Sequence, residues 1–177
     1  SLMGSALVRE LQRQGYTNLV GVLKDEPNLT DADEMEAFFR HGQPEYVIVA
    51  GGKTGGIEAN QKYPADLIRD NLLVDCNVIH GAHCHGVKKL LYLASSCSYP
   101  KHCPQPMRVE SLLTGPLEPT NEAYAVAKIA GIKMCQAYRS QHAANFITGI
   151  PANPFGPGDD FTPEDSHVIA ALMLKIH

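Results

Sequence analysis

The strongest constraint on the fold of this chain is a continuous apolar run at residues 46–50 (Tyr-Val-Ile-Val-Ala), which leads directly into a glycine-rich segment at 51–56. Successive side chains of a strand point to opposite faces of a sheet, so an uninterrupted apolar run is typical of a parallel strand covered on both faces. A glycine-rich segment that follows such a strand is typical of a loop at its carboxyl end. The sequence therefore predicts a parallel strand buried on both faces over residues 46–50.

Helical and strand patterns alternate along the rest of the chain, which indicates the α/β class with a doubly wound, Rossmann-like parallel sheet. Helices are predicted at residues 5–14, 31–40 (capped by Thr30 or Asp31), 64–85 and 122–142, and from 168 to the end; further strands are predicted at 18–23, 89–95 and 145–150. No strand precedes the first helix, so the first strand of the sheet is expected to be absent and both ends of the chain to be trimmed.

The composition fits one globular domain of 177 residues, with 44% apolar residues and a net charge of −4. The negative charge, without a basic stripe, argues against a nucleic-acid-binding protein. No apolar run approaches the length of about 20 residues that a membrane-spanning helix needs, and the first residues do not resemble a signal peptide. The five cysteines lack framework spacing and are interpreted as reduced thiols of a cytoplasmic protein.

Tyr124 and Lys128 are four residues apart on a predicted helix, and Ser95 ends a predicted strand. A spacing of four places two helical side chains on one face, one turn apart. An ammonium group beside a phenol lowers the pKa of the phenol from about 10, which suits proton exchange with an alcohol or ketone. A serine hydroxyl can hold the substrate oxygen. These residues predict hydride and proton chemistry at a carbinol carbon, with an ordinary surface pair as the alternative.

Ligands of parallel α/β sheets bind beyond the carboxyl ends of the strands. Four segments with unusual residues are predicted there: Lys24, residues 50–56, residues 95–97 and residues 151–153. Their convergence on one edge is harder to obtain by chance than any single motif, so this edge is the predicted ligand site. A plain flexible loop is the alternative interpretation of residues 51–56.

Four stretches carry a resemblance to a known family: Ala-Gly-Gly-Lys-Thr-Gly-Gly-Ile-Glu-Ala-Asn at 50–60, Leu-Ala-Ser-Ser-Cys-Ser-Tyr-Pro-Lys at 93–101, Glu-Pro-Thr-Asn-Glu-Ala-Tyr-Ala-Val-Ala-Lys at 118–128 and Ser-His-Val-Ile at 166–169. Over essentially its whole length the chain resembles the extended short-chain dehydrogenase/reductases (the NAD-dependent epimerase/dehydratase family) and, within them, the GDP-L-fucose synthases. Tyr-x-x-x-Lys is general to the superfamily. Ser-Ser-Cys before Tyr-Pro, and the later Ser-His-Val, are more specific to these synthases.

The resemblance implies an NADPH-dependent enzyme that epimerises C3 and C5 of GDP-4-keto-6-deoxy-D-mannose and reduces C4, which gives GDP-L-fucose. Tyr124 would donate a proton to the C4 oxygen, and Ser95 would bond the same oxygen. Lys128 would lower the pKa of Tyr124 and hold the nicotinamide ribose. Cys97 and His167 would be the acid/base pair at C3 and C5, since a C4 ketone acidifies both carbons. Without the resemblance, Cys97 reads as a buried small residue and His167 as a cap or core histidine.

The resemblance further implies a dinucleotide-binding domain over residues 1–177, in which 167–177 begin the substrate-binding part; most of the small substrate domain would be absent. The implied cofactor-binding residues are Gly4, Lys24, Leu93, Ala94, Ser95, Ser96, Lys128, Pro151, Ala152, Asn153, Pro154 and His167, and Asn153 and Lys175 are implied contacts of the sugar nucleotide. Lys24 would bind the 2′-phosphate, which favours NADPH over NADH.

The glycine fingerprint departs from the family pattern, because only its last glycine is present, as Gly4, and Ser1 stands in the place of the middle one. Ala152 also replaces a usual threonine. Trimming of the chain is the favoured explanation of the missing glycines. Two other functions stay open: a different nucleotide-sugar epimerase or reductase of the same family, and a truncated, non-catalytic Rossmann-like binding module.

Two expectations concern partners. The resemblance implies a homodimer that packs through the long helices at 64–85 and 122–142. A metal is not expected, because the spacing of His80, His83, Cys84 and His85 fits no standard structural zinc site.

Overall fold

The computed structural model describes residues 1–21, 26–159, 161–162 and 168–176. The helices in these ranges are α1 (Leu2–Arg13), α2 (Ala32–Gly42), α3 (Ile57–Lys62), α4 (Pro64–Cys84), α5 (Glu122–His142) and α6 (Val168–Ile176). The strands are β1 (Tyr46–Val49), β2 (Lys89–Leu93) and β3 (Phe146–Gly149), and short 3₁₀ turns lie at Ser96–Ser98, Val109–Ser111 and Pro119–Asn121.

The three strands form a parallel sheet in the order β1–β2–β3. Val47 lies opposite Leu90, and Leu90 lies opposite Phe146. Parallel neighbours need a long crossover connection, and α4 and α5 supply it between β1 and β2 and between β2 and β3. The predicted α/β class with a Rossmann-like parallel sheet is confirmed.

The core lies between one face of this sheet and the helices α4 and α5, which pack against each other. Leu90, Tyr92 and Phe146 project from the sheet into the core and are almost completely buried. Ile79 of α4 and Ile132 of α5 pack in the same cluster. Burial of large apolar side chains such as these is the main stabilising contribution to the fold.

The first described strand, β1, is not buried on both faces, so this part of the sequence prediction is wrong. Val49 is buried, but Tyr46 and Ile48 are 65% and 40% exposed. β1 lies at one edge of the described sheet, and Tyr46 and Ile48 point away from the face that α4 and α5 cover. An apolar sequence shows that a strand can be buried, but it does not show what packs on each face.

Most predicted boundaries agree with the structure to within a few residues. Asp31 caps α2, as expected, by accepting hydrogen bonds from the amides of Asp33 and Glu34. The predicted strand at 18–23 is the exception: residues 18–21 have no regular secondary structure, and 22–23 lie outside the described residues. Gly21 has a φ of 67°, in the left-handed region that a regular strand does not adopt.

All five cysteines are free thiols. Cys135 is buried in the core, whereas Cys76 and Cys84 are exposed on α4. No helix in the described ranges is both long and apolar enough to cross a membrane.

Gly131 of α5 is expected not to tolerate alanine. A Cβ at this position would overlap the ring and hydroxyl group of Tyr92 and would lie 2.7 Å from Oδ2 of Asp75. Both neighbours are fully buried, so they cannot move aside, and overpacking of this kind costs about 1–3 kcal/mol. We expect Gly131→Ala to lower the free energy of unfolding by that amount in urea denaturation.

Gly42→Ala is the matched control for this variant. Gly42 is also helical, in α2, but a Cβ there would come no closer than 4.0 Å to its neighbours. Alanine is favoured over glycine in helices by up to about 1 kcal/mol, so the control should be neutral or stabilising. A Gly131→Ala protein as stable as the control would contradict the close packing of Tyr92 on α5.

Candidate functional site

The loops that follow the strands meet at the carboxyl edge of the sheet. Beyond β2, the amide of Ala94 donates to the carbonyl of Gly149 (2.9 Å), and Oγ of Ser96 donates to Oδ1 of Asn153 (3.4 Å). These bonds join the end of β2 to the end of β3. The predicted convergence of the segments 95–97 and 151–153 is therefore present in the structure.

The beginning of α1 reaches the same edge through Ser1. Oγ of Ser1 donates to the carbonyl of Ala50 (2.9 Å) and accepts a hydrogen bond from the amide of Gly4 (3.1 Å). Ser1 is therefore the N-cap of α1, which explains why the helix begins at Leu2 and not near residue 5. A Cβ at Gly4 would lie 3.8 Å from the Cβ of Ala50, so Gly4 lies near the end of β1.

Tyr124 and Lys128 lie in the first two turns of α5. Lys128 is 3% exposed, and its Nζ lies 5.9 Å from the ring centroid of Tyr124 and 5.1 Å from that of Tyr92. The glycine loop closes over this ammonium group: a Cβ at Gly52 would lie 3.4 Å from Nζ of Lys128 and 2.6 Å from Oδ1 of Asn71. Gly52 has a φ of 130°, which side-chain-bearing residues rarely adopt, so the close approach depends on glycine.

A buried carboxyl group that the sequence analysis missed, Asp75 of α4, lies behind this pair. Its Oδ2 accepts a hydrogen bond from the hydroxyl of Tyr92 (2.8 Å), and its Oδ1 is buried without a hydrogen-bond partner among the described residues. Burial raises the pKa of Asp75 to about 6, while the charge of Lys128 and the Tyr92 hydrogen bond oppose this shift. Burial lowers the pKa of Lys128, and Asp75 opposes that shift. Each group thus favours the charged form of the other.

The pKa of Tyr124 differs in direction from the sequence prediction. Burial, helped by nearby Cys97, raises it to about 12, although a hydrogen bond with Ser95 acts to lower it. The spacing of four predicts Lys128 as the dominant neighbour of Tyr124, but in the structure its ammonium lies 5.9 Å from the ring centroid of Tyr124. At neutral pH Tyr124 is therefore a neutral phenol, the form that can donate a proton.

Cys97 lies next to Ser95, in the 3₁₀ turn Ser96–Ser98 that follows β2. Ser95 caps this turn, because its Oγ accepts a hydrogen bond from the amide of Cys97 (3.3 Å). The partly buried Cys97 accepts a hydrogen bond at Sγ from Nδ2 of Asn121 (3.1 Å). Ser95 and Cys97 both affect the pKa of Tyr124, so the side chains of Ser95, Cys97 and Tyr124 lie close together and are called here the catalytic-edge group.

Asn121 is the second residue of this site that the sequence analysis missed. It ends the 3₁₀ turn Pro119–Asn121 and is the N-cap residue of α5. An asparagine directly before a helix is a typical helix-start signal, so the sequence indicates a cap and not a contact with a distant cysteine. Asp75 gave no signal either, because polar residues of a long helix usually face solvent.

The other predicted site residues differ in how closely the structure links them to this group. Leu93 ends β2 and Ala94 follows it, and Pro151, Ala152, Asn153 and Pro154 belong to the loop after β3. Lys175 is exposed on α6, and none of the described hydrogen bonds or ion pairs joins it to the catalytic-edge group. Lys24 and His167 lie outside the described residues.

The histidines near the end of α4 contact side chains of α5. His80 shares a hydrogen bond of 2.7 Å between its Nδ1 and the hydroxyl of Tyr138, and the rings of His83 and His142 lie 4.3 Å apart. In the part of the chain that the structure describes, no group of three or more His, Cys, Asp or Glu residues is arranged to hold a metal ion. These histidines therefore contribute to the packing of α4 on α5.

The sequence comparison matches all of residues 1–177 to the NAD dependent epimerase/dehydratase family. A protein named putative GDP-L-fucose synthase 2, from Arabidopsis thaliana, is 59% identical over 176 residues, which are 99% of this chain and 54% of that protein. GDP-L-fucose synthase from Escherichia coli strain K12 is 47% identical over 176 residues, 99% of this chain and 55% of that protein. The chain thus spans about half the length of these curated relatives.

Solved structures with the same architecture include two that contain NADP. A GDP-mannoheptose C4 reductase from Campylobacter jejuni with NADP bound matches with a TM-score of 0.90 at 37% identity, over 98% of this chain and 52% of that one. A GDP-L-fucose synthetase from Naegleria fowleri bound to NADP matches with a TM-score of 0.87 at 29% identity, over 99% of this chain and 58% of that one. Both matches support the Rossmann-like fold.

Proposed function

Because the chain belongs to the NAD dependent epimerase/dehydratase family, we propose that it is the dinucleotide-binding part of an NADPH-dependent enzyme that epimerises C3 and C5 of GDP-4-keto-6-deoxy-D-mannose and reduces C4, which gives GDP-L-fucose. The observation that carries the proposal is the catalytic-edge group, in which a proton donor for a ketone oxygen and a thiol for carbon acids lie around one serine. The identity to proteins named GDP-L-fucose synthase supports the substrate class.

Tyr124 and Ser95 act at the C4 oxygen. As C4 is reduced, its carbon–oxygen double bond opens and the oxygen takes the phenolic proton of Tyr124, so that a hydroxyl group forms. Ser95 hydrogen-bonds the same oxygen and stabilises its developing negative charge. The raised pKa of Tyr124 keeps the proton on the phenol until the substrate oxygen takes it.

Lys128 and the glycine loop fit a nicotinamide dinucleotide. The buried ammonium supplies positive charge beside Tyr124 and can hydrogen-bond ribose hydroxyl groups. The positive φ of Gly52 brings the main chain of the glycine loop close to this ammonium group. When bound, NADPH supplies the hydride. The proposed lining residues are Gly4, Leu93, Ala94, Ser96, Pro151, Ala152, Asn153 and Pro154, with Lys24 at the 2′-phosphate and His167 near the nicotinamide.

Cys97 acts as a base at C3 and C5 of the sugar. The C4 ketone acidifies the hydrogens at C3 and C5, so the Cys97 thiolate can remove one of them: the C–H bond breaks, an S–H bond forms, and the electron pair moves to the C4 oxygen as an enolate. Ser95 and Tyr124 stabilise the enolate through hydrogen bonds. His167 is proposed to return a proton from the opposite face, which inverts the carbon centre.

The same proposal includes three predictions about the whole protein. A homodimer would pack through α4 and α5, which lie against each other and expose Leu73 and Val126. Lys175 and Asn153 would contact the sugar nucleotide, with residues 167–177 beginning the substrate-binding part. Free thiols at all five cysteines support a cytoplasmic location.

The test uses the complete protein that contains residues 1–177, because the chain spans about half the length of its curated relatives. The protein is given GDP-4-keto-6-deoxymannose and NADPH in heavy water. We expect NADPH oxidation and a product with deuterium at both C3 and C5, since both hydrogens must exchange with solvent before C4 is reduced. Absorbance at the reduced nicotinamide band and mass spectrometry with NMR of the product give the two readouts.

Each other outcome identifies a different function. NADPH oxidation without deuterium at C3 or C5 would indicate a simple 4-reductase, the kind of activity named for the Campylobacter jejuni structural relative. Neither signal, combined with no NADPH binding in a fluorescence titration, would indicate a non-catalytic binding module.

A further inference from the structure

The side chain of Asn121 contacts Cys97 and does not cap the helix that it precedes. Asparagine is favoured at N-caps because its side-chain oxygen accepts hydrogen bonds from the first-turn amides. No such bond forms at the start of α5. Instead, Nδ2 of Asn121 donates to Sγ of Cys97 at 3.1 Å, which is shorter than the 3.4 Å between Nε2 of His80 and Sγ of Cys84. The side chain of Asn121 therefore does not cap α5, and its Nδ2–H group faces Sγ of Cys97.

The segments that carry Asn121 and Cys97 are fixed against each other. The amide of Lys101, in the same loop as Cys97, donates to the carbonyl of Pro116 (2.9 Å), and its Nζ lies 2.8 Å from Oε2 of Glu118. Glu118 also caps the 3₁₀ turn that ends at Asn121. One backbone hydrogen bond and one ion pair therefore join the loop that carries Cys97 to the segment that leads to Asn121.

The amide of Asn121 can favour one charge state of the sulfur. Its Oδ1 is buried and has no hydrogen-bond partner among the described residues, so the bond to Cys97 sets the direction of the amide. Hydrogen bonds to an ionised acceptor are about twice as strong as those between neutral groups. An N–H donor at Sγ therefore stabilises a thiolate more than a thiol.

We propose that Asn121 is a positioning residue for Cys97: it orients the sulfur toward a carbon next to the ketone and donates a hydrogen bond to the thiolate that removes the proton. The role in catalysis rests on the proposed function, but the effect of the hydrogen bond on the reactivity of Cys97 can be tested without any substrate. The amide of Asn121 keeps its protons throughout. The proton that leaves the sugar carbon is taken by the sulfur, as described above for Cys97.

Two variants of the complete protein, Asn121→Asp and Asn121→Ala, separate the effect of the Nδ2–H donor from the effect of side-chain size. Aspartate has the size of asparagine but presents only oxygens, which repel a thiolate. It is also a good N-cap residue, and a thermal melt of this variant checks that the fold is retained. Alanine removes both the donor and the volume.

We expect both variants to slow the alkylation of Cys97 by iodoacetamide at neutral pH by about tenfold or more, because a hydrogen bond to a charged group is lost. Mass spectrometry of the Cys97 peptide gives the rate. Cys103, another partly buried free thiol, is measured in the same digest as the internal control and should react at an unchanged rate.

With substrate, deuterium exchange at C3 and C5 should fall with the alkylation rate, while reduction of an already epimerised ketone should be much less affected. Alkylation of Cys97 in Asn121→Asp at the wild-type rate would overturn the proposal, because the donor would then be dispensable. If both variants slow alkylation but the wild type neither exchanges hydrogen nor oxidises NADPH, the proposed function fails and the role of Asn121 at the sulfur stands.

Discussion

Tyr124→Phe in the complete protein is expected to slow the reduction of C4 by about 10²- to 10⁴-fold, the range that a positioned general acid contributes. Phenylalanine keeps the ring that packs near Lys128 but removes the hydroxyl that carries the proton. The C4 oxygen would then have to take its proton from water. The measurement is the rate of NADPH oxidation with an already epimerised ketone at saturation, so that the epimerisation steps do not contribute.

NADPH binding separates this effect from damage to the cofactor site. Because the ring and Lys128 remain in place, the Kd for NADPH in a fluorescence titration should stay close to that of the wild type. A loss of rate accompanied by an equal loss of NADPH affinity would instead indicate a structural role for the Tyr124 hydroxyl.

Tyr138→Phe is the matched control, because Tyr138 lies further along the same helix and also loses only a hydroxyl. That hydroxyl bonds Nδ1 of His80 at 2.7 Å, and the Tyr138 ring lies 6.1 Å from the ring of Phe146 at the amino end of β3, opposite to the carboxyl edge that carries the candidate site. We expect no change in the rate of C4 reduction. Similar losses in Tyr124→Phe and Tyr138→Phe would contradict the assignment of Tyr124 as the proton donor.

The positions of the candidate residues could be predicted largely because they follow from local rules. A spacing of four on a helix places Tyr124 and Lys128 together, and parallel strands bring the segment 95–97 to the same edge as the segment after β3. Both rules depend only on short stretches of sequence. They hold in the structure whatever else packs around them.

The electrostatics of the site could not be predicted in the same way, because they depend on burial. The pair rule predicts a lowered pKa for Tyr124, whereas burial raises the pKa to about 12. The depth of Lys128 and the presence of Asp75 beneath it result from the packing of α4 on α5. No local pattern in either helix reports how far a polar side chain will be from water.

Asn121 and β1 show that the contacts of a side chain are also hard to predict from the sequence. The N-cap signal at Asn121 is correct for the backbone, since α5 begins directly after it, but the tertiary contact with Cys97 redirects the side chain. The apolar run at 46–50 is likewise a strand, but the exposure of Tyr46 depends on what lies above it. Sequence patterns predict backbone elements better than they predict side-chain partners.

Cys97→Ser is expected to separate the two halves of the reaction. Deuterium incorporation at C3 and C5 should fall at least about a hundredfold, because a serine hydroxyl is a far weaker acid than a thiol and supplies almost no anionic base at neutral pH. The fold of the turn should persist, since Ser95 caps it through the main-chain amide of residue 97 and not through its side chain. The measurement is product labelling in heavy water.

Hydride transfer to an already epimerised ketone should continue in the same variant. Cys97 contributes to the raised pKa of Tyr124, but burial is the larger cause, so Tyr124 stays protonated at neutral pH without the sulfur. Cys103→Ser is the control, because Cys103 is also partly buried and free; it should lose neither activity. Equal loss of labelling and of hydride transfer in Cys97→Ser would mean that the sulfur supports the C4 site as a whole, and the division of labour between Cys97 and Tyr124 would be wrong.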